Sequence, residues 1–367
     1  MLLFLISLTG LIIIIIYLAM QLPQFGKAPR GKRLERINKS PNYRNGKFQN
    51  LEFTTLLPEG TTMVGEVVRT FLIRNPRKFP TDSIPTSKTD LLSIPIDRNV
   101  LVWFGHSSYY LQIDGKRILV DPVLSGFASP FSFGVNAFKG TDRYNADDFP
   151  EIDYVLISHD HFDHLDYNTM MALKGKIKYV VCGLGVGESL EYWGFKEDQI
   201  VEKDWNETIV IEKNFEIHTA TARHGSGRKL QTDNTLWLSY IIAAPSQRIY
   251  VGGDSGYGIH FSELGKKYGA FDLAILDNGQ YAEDSYSTIH MPAKFSLKAA
   301  QDLNAKRLFP VHSSKFVLSR HPWDEPLVQI SQLSREAKMP LVTPMIGEAV
   351  NLNNPDQLFK DWWQGLK

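Results

Sequence analysis

The chain is poor in cysteine. Cys182 is the only one in 367 residues. No intrachain disulfide can form, so the sequence carries no signature of an oxidising compartment. Within the apolar run Tyr179-Val180-Val181-Cys182 the thiol reads as a small buried hydrophobe, with a metal ligand as the alternative. Net charge is also absent, with 40 Lys and Arg against 40 Asp and Glu. That removes the global electrostatic reason to expect a nucleic-acid partner. No internal repeat of roughly 20 to 50 residues is present, which excludes a solenoid. No basic residue precedes the apolar run at the N-terminus, as the start of a cleaved signal peptide would require.

Histidine chemistry is present, and it is concentrated. The run Ser158-His159-Asp160-His161-Phe162-Asp163-His164-Leu165-Asp166 contains H-x-H-x-D-H directly after an apolar strand over residues 152–157. Three imidazoles and a carboxylate so close together are costly to bury, and a metal ion satisfies all four together. On an extended turn His159 and His161 point the same way. Asp163 and His164, one helical step on, reach a second ion close by. The segment therefore argues for two metals, and two metals argue for hydrolysis. A fortuitous surface patch is the bland alternative. Three further candidates follow short β-rich runs beside Gly or Ser: His224 in Arg223-His224-Gly225-Ser226-Gly227, Asp254 in Gly252-Gly253-Asp254-Ser255-Gly256, and His312 after residues 307–311. Strand ends of this kind are where a sheet scaffold presents site residues.

Strands are expected over residues 100–104, 109–113 and 117–120, with an Asp114-Gly115 hairpin turn. A second set covers 209–211, 215–219, 236–243 and 248–251. Helices are expected over 167–173, 187–193, 261–268, 292–303 and 325–337. Two strand groups with helices outside them give an α/β, four-layer αββα sandwich with the ligands on loops along one edge.

The ligand order resembles that of the metallo-β-lactamase-fold hydrolases, which run H-x-H-x-D-H, then His, Asp and His. It is similar, more narrowly, to the branch containing N-acylphosphatidylethanolamine-hydrolysing phospholipase D and the ascorbate-phosphate lactonases. Trp103-Phe104-Gly105-His106-Ser107-Ser108, Ile118-Leu119-Val120-Asp121-Pro122-Val123, Gly253-Asp254-Ser255-Gly256-Tyr257 and His321-Pro322-Trp323-Asp324-Glu325-Pro326 carry that narrower likeness. The match runs over about residues 50 to 350. The resemblance implies one ion on His159, His161 and His224, a second on Asp163, His164 and His312, and Asp254 between them. It implies zinc, with iron or manganese as alternatives. Water held by two such ions ionises near neutral pH and attacks phosphorus or a carbonyl carbon. Asp163 would accept or relay its proton. The resemblance puts His290 at the pocket rim, touching substrate, with a structural role as the alternative. Asp121 is expected to fix a ligand loop by hydrogen bonds. His106 is read as bonding a neighbouring loop, His218 as a strand-face residue, and His260 and His321 as peripheral. One departure stands out. Lipid-cleaving members carry a His-Trp-Gly-Thr-Phe-like run where this chain reads His312-Ser313-Ser314-Lys315-Phe316.

The ends of the chain add expectations. Residues 1–20 are almost wholly apolar and read as a transmembrane anchor, since ~20 such residues span a bilayer. Lys27, Arg30, Lys32, Arg33, Arg36, Lys39, Arg44 and Lys47 follow it, which places the catalytic domain on the cytoplasmic side. This stretch can lie against anionic headgroups or be a solvated linker. Residues 21–98 read as a basic linker and wrapping arm, with a short helix over 64–73. Residues 99–350 form the hydrolase domain. Residues 351–367 form an amphipathic tail in which Leu358, Phe359, Trp362, Trp363 and Leu366 either dock or grip an interface. The expected function is a membrane-anchored phosphodiesterase of phospholipase D type acting on a phospholipid. The alternatives are a lactonase or esterase on a small, phosphorylated substrate and a non-catalytic metal-binding regulator. Arg223, Arg228 and Lys315 are candidate anion contacts.

Overall fold

The computed structural model describes residues 2–55, 62, 65, 75–281 and 288–367. The helix expected over 64–73 falls, Gly65 apart, outside them. The chain begins with α1 (Leu2–Ala19), an 18-residue apolar helix whose described side chains are largely exposed. At ~1.5 Å per residue it is about 27 Å long, short of a ~30 Å hydrocarbon core. Among the described residues, no helix is long and apolar enough to cross a membrane. That overturns the expected anchor and the single-pass, cytoplasm-facing placement built on it. The run stops as a span because residues 20–22 leave the helix and Pro23 opens a short 3₁₀ turn.

The basic stretch after α1 is committed to the protein itself. It forms α2 (Gly31–Lys39) and a small hairpin, β1 (Tyr43–Arg44) with β2 (Lys47–Phe48). Arg30 pairs with Glu188 at 2.9 Å, and Arg36 with Glu207 at 3.2 Å. Arg33 reaches Glu188 at 3.5 Å, Glu202 at 2.7 Å and Glu191. Of these guanidinium groups Arg33 is shielded, while Arg30 and Arg36 keep exposed faces beside their partners. The arm wraps the hydrolase body through them.

Two mixed sheets make that body. In the first, β3 (Val100–Trp103), β4 (Tyr109–Ile113) and β5 (Lys116–Val120) form an antiparallel meander. Asp114 and Gly115 turn the β4–β5 hairpin with φ of 45° and 77°, the handedness that a two-residue type I′ turn requires. β6 (Ile152–Leu156), β7 (Ile177–Gly183) and β8 (Ile200–Lys203) add in parallel. Their crossovers carry α3 (Tyr167–Leu173) and α4 (Gly187–Tyr192). Asp166 starts α3 by accepting from the backbone N–H groups of Asn168 and Thr169.

In the second sheet β9 (Thr208–Glu212), β10 (Phe215–Ala220), β11 (Ser239–Ala243) and β12 (Arg248–Val251) are antiparallel neighbours. β13 (Leu273–Asp277) and β14 (Leu308–Val311) continue it in parallel, with α5 (His260–Tyr268) and α6 (Ala293–Asp302) as crossovers. After α7 (Glu325–Ala337), β15 (Ala349–Asn351) returns to pair with β3. The strand expected over 236–243 starts only at Ser239. Its first residues cross to the other sheet instead, where Leu236 N–H donates to Leu184 O and Leu238 N–H to Ser158 O.

Alternation along the strands builds four layers. Leu101, Trp103 and Leu111 of the first sheet meet Ile217, Val251 and Phe309 of the second in one buried cluster. Val102, Tyr110 and Val155 face the other way, onto Met170 and Leu190 of α3 and α4. Ile241, Tyr250 and Ala274 face Phe261, Leu297 and Ile330 of α5, α6 and α7. Both faces of both sheets are thus covered, which is why strands such as β3, β4 and β13 are apolar at almost every position. The architecture is the expected αββα sandwich.

The tail forms no helix and runs as turns. Trp362 and Trp363 are buried in the central cluster, while Leu358 is 92% exposed. Docking through the two tryptophans is therefore the role of the tail's aromatic pair. Trp363→Ala is expected to cost about 3 to 5 kcal/mol, read as a fall in the midpoint of denaturant unfolding.

Candidate metal centre

Strand direction brings the polar residues to one edge. β3, β5 and β6 end there in the first sheet, and β10, β12, β13 and β14 end there in the second. The loops after them hold His106, Asp121, the 158–166 run, His224, Asp254 and His312, and Asp277 is the last residue of β13 itself. These residues are separated by up to 206 positions in sequence, yet all are at least nine-tenths buried except His161 and Phe162.

His159, His161 and His224 converge. His159 Nε2 lies 2.8 Å from His161 Nδ1, which lies 3.3 Å from His224 Nε2. Two of them have the other side of the ring engaged: His159 Nδ1 is 3.0 Å from Ser158 Oγ, and His224 Nδ1 is 3.2 Å from Ile289 O. With Nδ1–H given to the Ile289 carbonyl, His224 turns a lone pair toward the other two rings. Three ring nitrogens aimed at one another cannot all be satisfied by hydrogen bonds, whereas one cation satisfies them together.

A second group lies beside the first. His106, Asp163, His164 and His312 offer ligand atoms within 4.8 Å of one another. Asp163 Oδ2 is 2.8 Å from His106 Nε2 and 3.4 Å from His164 Nε2. Asp254 stands between the groups. Its Oδ2 is 3.1 Å from His164 Nε2, 3.7 Å from His224 Nε2 and 3.9 Å from His159 Nε2. Its Oδ1 is 3.0 Å from His312 Nδ1.

The outer contacts choose which nitrogen faces inward. Asp121 Oδ2 is 2.8 Å from His164 Nδ1, and Asp121 also accepts from Ser158 N–H at 2.7 Å and Ser158 Oγ–H at 2.6 Å. His164 therefore gives Nδ1–H to Asp121 and turns Nε2 into the site. His164 Nε2, His312 Nε2 and Asp254 Oδ1 are buried without a hydrogen-bond partner. Such orphaned atoms are rare, and here they converge, so the residues present fit a pair of metal ions.

Charge supports the same conclusion. Burial pushes the imidazoles of His159, His224 and His312 well below the ordinary histidine range, which keeps them neutral as ligands must be. Burial also works to lower His164, but Asp254, Asp163 and Asp121 outweigh it and hold that imidazole well above the ordinary range. Burial lifts the Asp254 carboxyl to about 7 despite His164 beside it. A proton on His164 thus occupies a place where the carboxylates demand positive charge, and a cation would displace it.

The backbone is shaped to fit. His106 (φ 53°), Asp121 (φ 41°) and His312 (φ 66°) adopt left-handed conformations that cost of order 1–3 kcal/mol each. Two reciprocal bonds lock the first to the third: His106 N–H to Ser313 O at 2.9 Å and His312 N–H to His106 O at 3.0 Å.

His106 thus bonds its neighbouring loops, as expected, and its ring also joins the polar cluster through Asp163. Asp277 is a residue that sequence reasoning missed. It is fully buried, and its Oδ2 lies 2.7 Å from Nδ1 of His290. Burial pushes its carboxyl well above the ordinary range although the backbone N–H groups of Gly279 and Ser255 donate to it. An Asp closing an apolar strand was the available signal, the same one that marked Asp254. The His290 ring stacks on His312 at 4.8 Å. His218 lies on β10, 2.8 Å from Thr208 Oγ1.

The three candidate anion contacts are turned inward. Arg223 donates to Phe53 O, Thr54 Oγ1 and Tyr257 O. Arg228 donates to Gln24 O, Asp160 O and Leu165 O. Lys315 Nζ is buried and donates to Val123 O at 3.0 Å. A cavity of about 470 Å³ does open beside His224, and Arg44, Lys47, Phe48, Leu51, Phe53 and Trp237 are among its walls.

Residues 116–313 match the Beta-lactamase superfamily domain. An uncharacterized protein of Mycobacterium tuberculosis is 35% identical over 335 residues, which is 89% of this chain and 88% of that protein. The mitochondrial N-acyl-phosphatidylethanolamine-hydrolyzing phospholipase D of Saccharomyces cerevisiae is 30% identical over 259 residues, 63% of this chain and 51% of that protein. A metallo hydrolase from the archaeon Ignicoccus hospitalis has a similar structure, with TM-score 0.52 and 21% identity over 69% of this chain and 98% of its own.

His106→Ala removes the partner of Asp163 and is expected to weaken one bound ion about 10–100-fold while sparing the other, measured by chelator competition. Burial lowers the Lys315 ammonium from 10.5 to about 8. Between those values the unfolded chain binds the proton that the fold releases, so stability rises with pH. The unfolding free energy of the natural chain minus that of Lys315→Met should grow by roughly 3 kcal/mol across that window, measured by denaturant titration.

Proposed function

The chain belongs to the beta-lactamase superfamily and has the fold of its metal-dependent hydrolases; from that premise we propose that it cleaves a phosphodiester in an amphiphilic, phospholipid-class substrate. The carrying observation is the pair of ligand clusters on either side of Asp254, the first of which reaches a cavity with mixed walls through His224. His159, His161 and His224 would hold one ion and Asp163, His164 and His312 the other, with Asp254 available to both. Zinc suits this imidazole and carboxylate set. Two such ions supply Lewis acidity and a water that ionises near neutral pH.

The side chains divide the remaining work. Asp163, held by His106, accepts the proton that the attacking water gives up. Asp254 keeps the two clusters in register. His290 shares a proton with Asp277 and, stacked on His312, presents its ring at the substrate side. Around the cavity, Arg44 and Lys47, which share its walls with Glu52 and Asp233, offer positive charge for a phosphate, and Leu51, Phe53 and Trp237 offer apolar surface for what the phosphate carries. The likeness to a phospholipid-cleaving relative agrees with that mixture. A lactonase acting on a small phosphorylated sugar would need a compact basic pocket, and the arginines and lysine expected to build one are bonded to backbone carbonyls instead.

The test uses the full chain. Metal per chain is determined, then turnover of bis-para-nitrophenyl phosphate and of N-acylphosphatidylethanolamine vesicles, with Asp254→Ala alongside. Two ions, turnover of both substrates and an inactive variant are expected. Turnover of the chromogenic diester without the lipid would remove the lipid reading and keep the phosphodiesterase. Two ions with neither turnover would remove both.

A further inference from the structure

His224 sits in a loop, Arg223-His224-Gly225-Ser226-Gly227, whose two glycines give it little stiffness of its own. Its ring is held by Ile289 O. Its backbone is held from outside the hydrolase body. Asn50, on the N-terminal arm, accepts from His224 N–H at Oδ1, 3.0 Å, and donates from Nδ2 to His224 O at 2.7 Å. One carboxamide thus grips both polar groups of a single residue 174 positions away. Trp237 Nε1–H also donates to Asn50 Oδ1, at 3.2 Å, which fixes the orientation of the amide.

The same arm meets the other ligand loop. Gln24 O accepts from Arg228 Nε at 2.9 Å and Nη2 at 2.6 Å. Arg228 Nη1 donates to Asp160 O and Leu165 O, both at 2.7 Å, at the two ends of the H-x-H-x-D-H turn. Gly227 N–H closes the circuit by donating to Asp160 Oδ1 at 2.7 Å. Asn50 and Gln24 both precede the segment 116–313 that the superfamily domain matches.

We propose that the arm is a working part of the metal site, with Asn50 as the positioning residue for His224, so that docking of the arm and binding of the His159, His161 and His224 ion reinforce each other. The inference rests on the metal reading above. Its physical basis is that an ion fixes His224 where Asn50 can grip it, and Asn50 fixes His224 where the ion needs it. Coupling between two binding events is reciprocal, so each must strengthen the other.

The test needs no substrate. Zinc affinity is measured by competition with a chromophoric chelator for the full natural chain, Asn50→Ala and Asn42→Ala. Asn42 is the control, because its side chain ties the same arm to Asp204 at 2.9 Å, away from the ligands. Asn50→Ala should weaken one zinc ion about 10–100-fold, while Asn42→Ala keeps the natural affinity at a comparable loss of thermal stability. In the natural chain, zinc should also slow proteolysis within residues 23–55, a measurement that no misfolded variant can spoil. Equal affinity in Asn50→Ala, equal weakening in both variants, or an arm cut at the same rate with and without zinc would each overturn the coupling. A natural chain that binds no zinc would overturn the metal reading itself, which separates the two failures.

Discussion

The structure depends on burying a group of imidazoles and carboxylates that cannot satisfy one another. His159, His161 and His224 aim ring nitrogens at a common point, and Asp163, Asp254 and Asp121 surround His164 with negative charge. Taken out of water without a cation, such a set is strongly unfavourable. The two sheets therefore do more than enclose an apolar core. They bring the ends of like-directed strands to one edge, so that ligands scattered from His106 to His312 can share one desolvated volume. Hydrophobic burial between the sheets supplies the free energy that holds this edge together. Local strain at His106, Asp121 and His312 is tolerable because the strands behind those residues are fully buried and cannot relax.

A second ring of contacts decides which atoms point inward. Asp121 and Ser158 assign the tautomer of His164, Ile289 O assigns that of His224, and the crossed backbone bonds between the His106 and His312 loops hold the two turns as one unit. Ligand geometry therefore does not depend on the ion alone. Much of the ordering cost is met during folding, and a bound ion meets rings that already face it. Arg228 belongs to this ring. A guanidinium, with five donors in a fixed fork, bonds three carbonyls here, one on the arm and two on the 158–166 run.

How much of this could be read from the sequence follows from how local each signal is. The H-x-H-x-D-H run is contiguous, so its chemistry is visible without a fold. His224, Asp254 and His312 could be marked because each follows a β-rich run beside Gly or Ser. Strand alternation and the Asp114-Gly115 turn carried the layer architecture for the same reason. His106 lacked any such mark, since its role depends on a turn meeting Asp163, 57 residues away. Asp277 looked like the polar end of an apolar strand, and Asn50 like an ordinary arm residue. Charge misled where partners were distant. Arg30, Arg33 and Arg36 read as headgroup contacts or a solvated linker because a sequence does not show Glu188, Glu202 and Glu207 folding onto them. The apolar N-terminal run was correctly helical, but composition alone overstated its reach.

Those arm ion pairs bear on the site. An exposed surface pair contributes little, yet the pairs of Arg33 are mostly shielded, with Glu188 and Glu202 side chains about 10% exposed. Glu202 also accepts the backbone N–H of Gly185 at 2.7 Å and of Gly187 at 3.1 Å, at the start of α4. Arg33 thus docks the arm onto a fixed carboxylate and not onto a free side chain, which reduces the entropy lost on pairing. Between Gln24 at one ligand loop and Asn50 at the other, α2 and its arginines set the span of the arm. An arm fastened midway to the body holds both of its end contacts in register, so the ligand loops at either end are constrained by the same segment of chain.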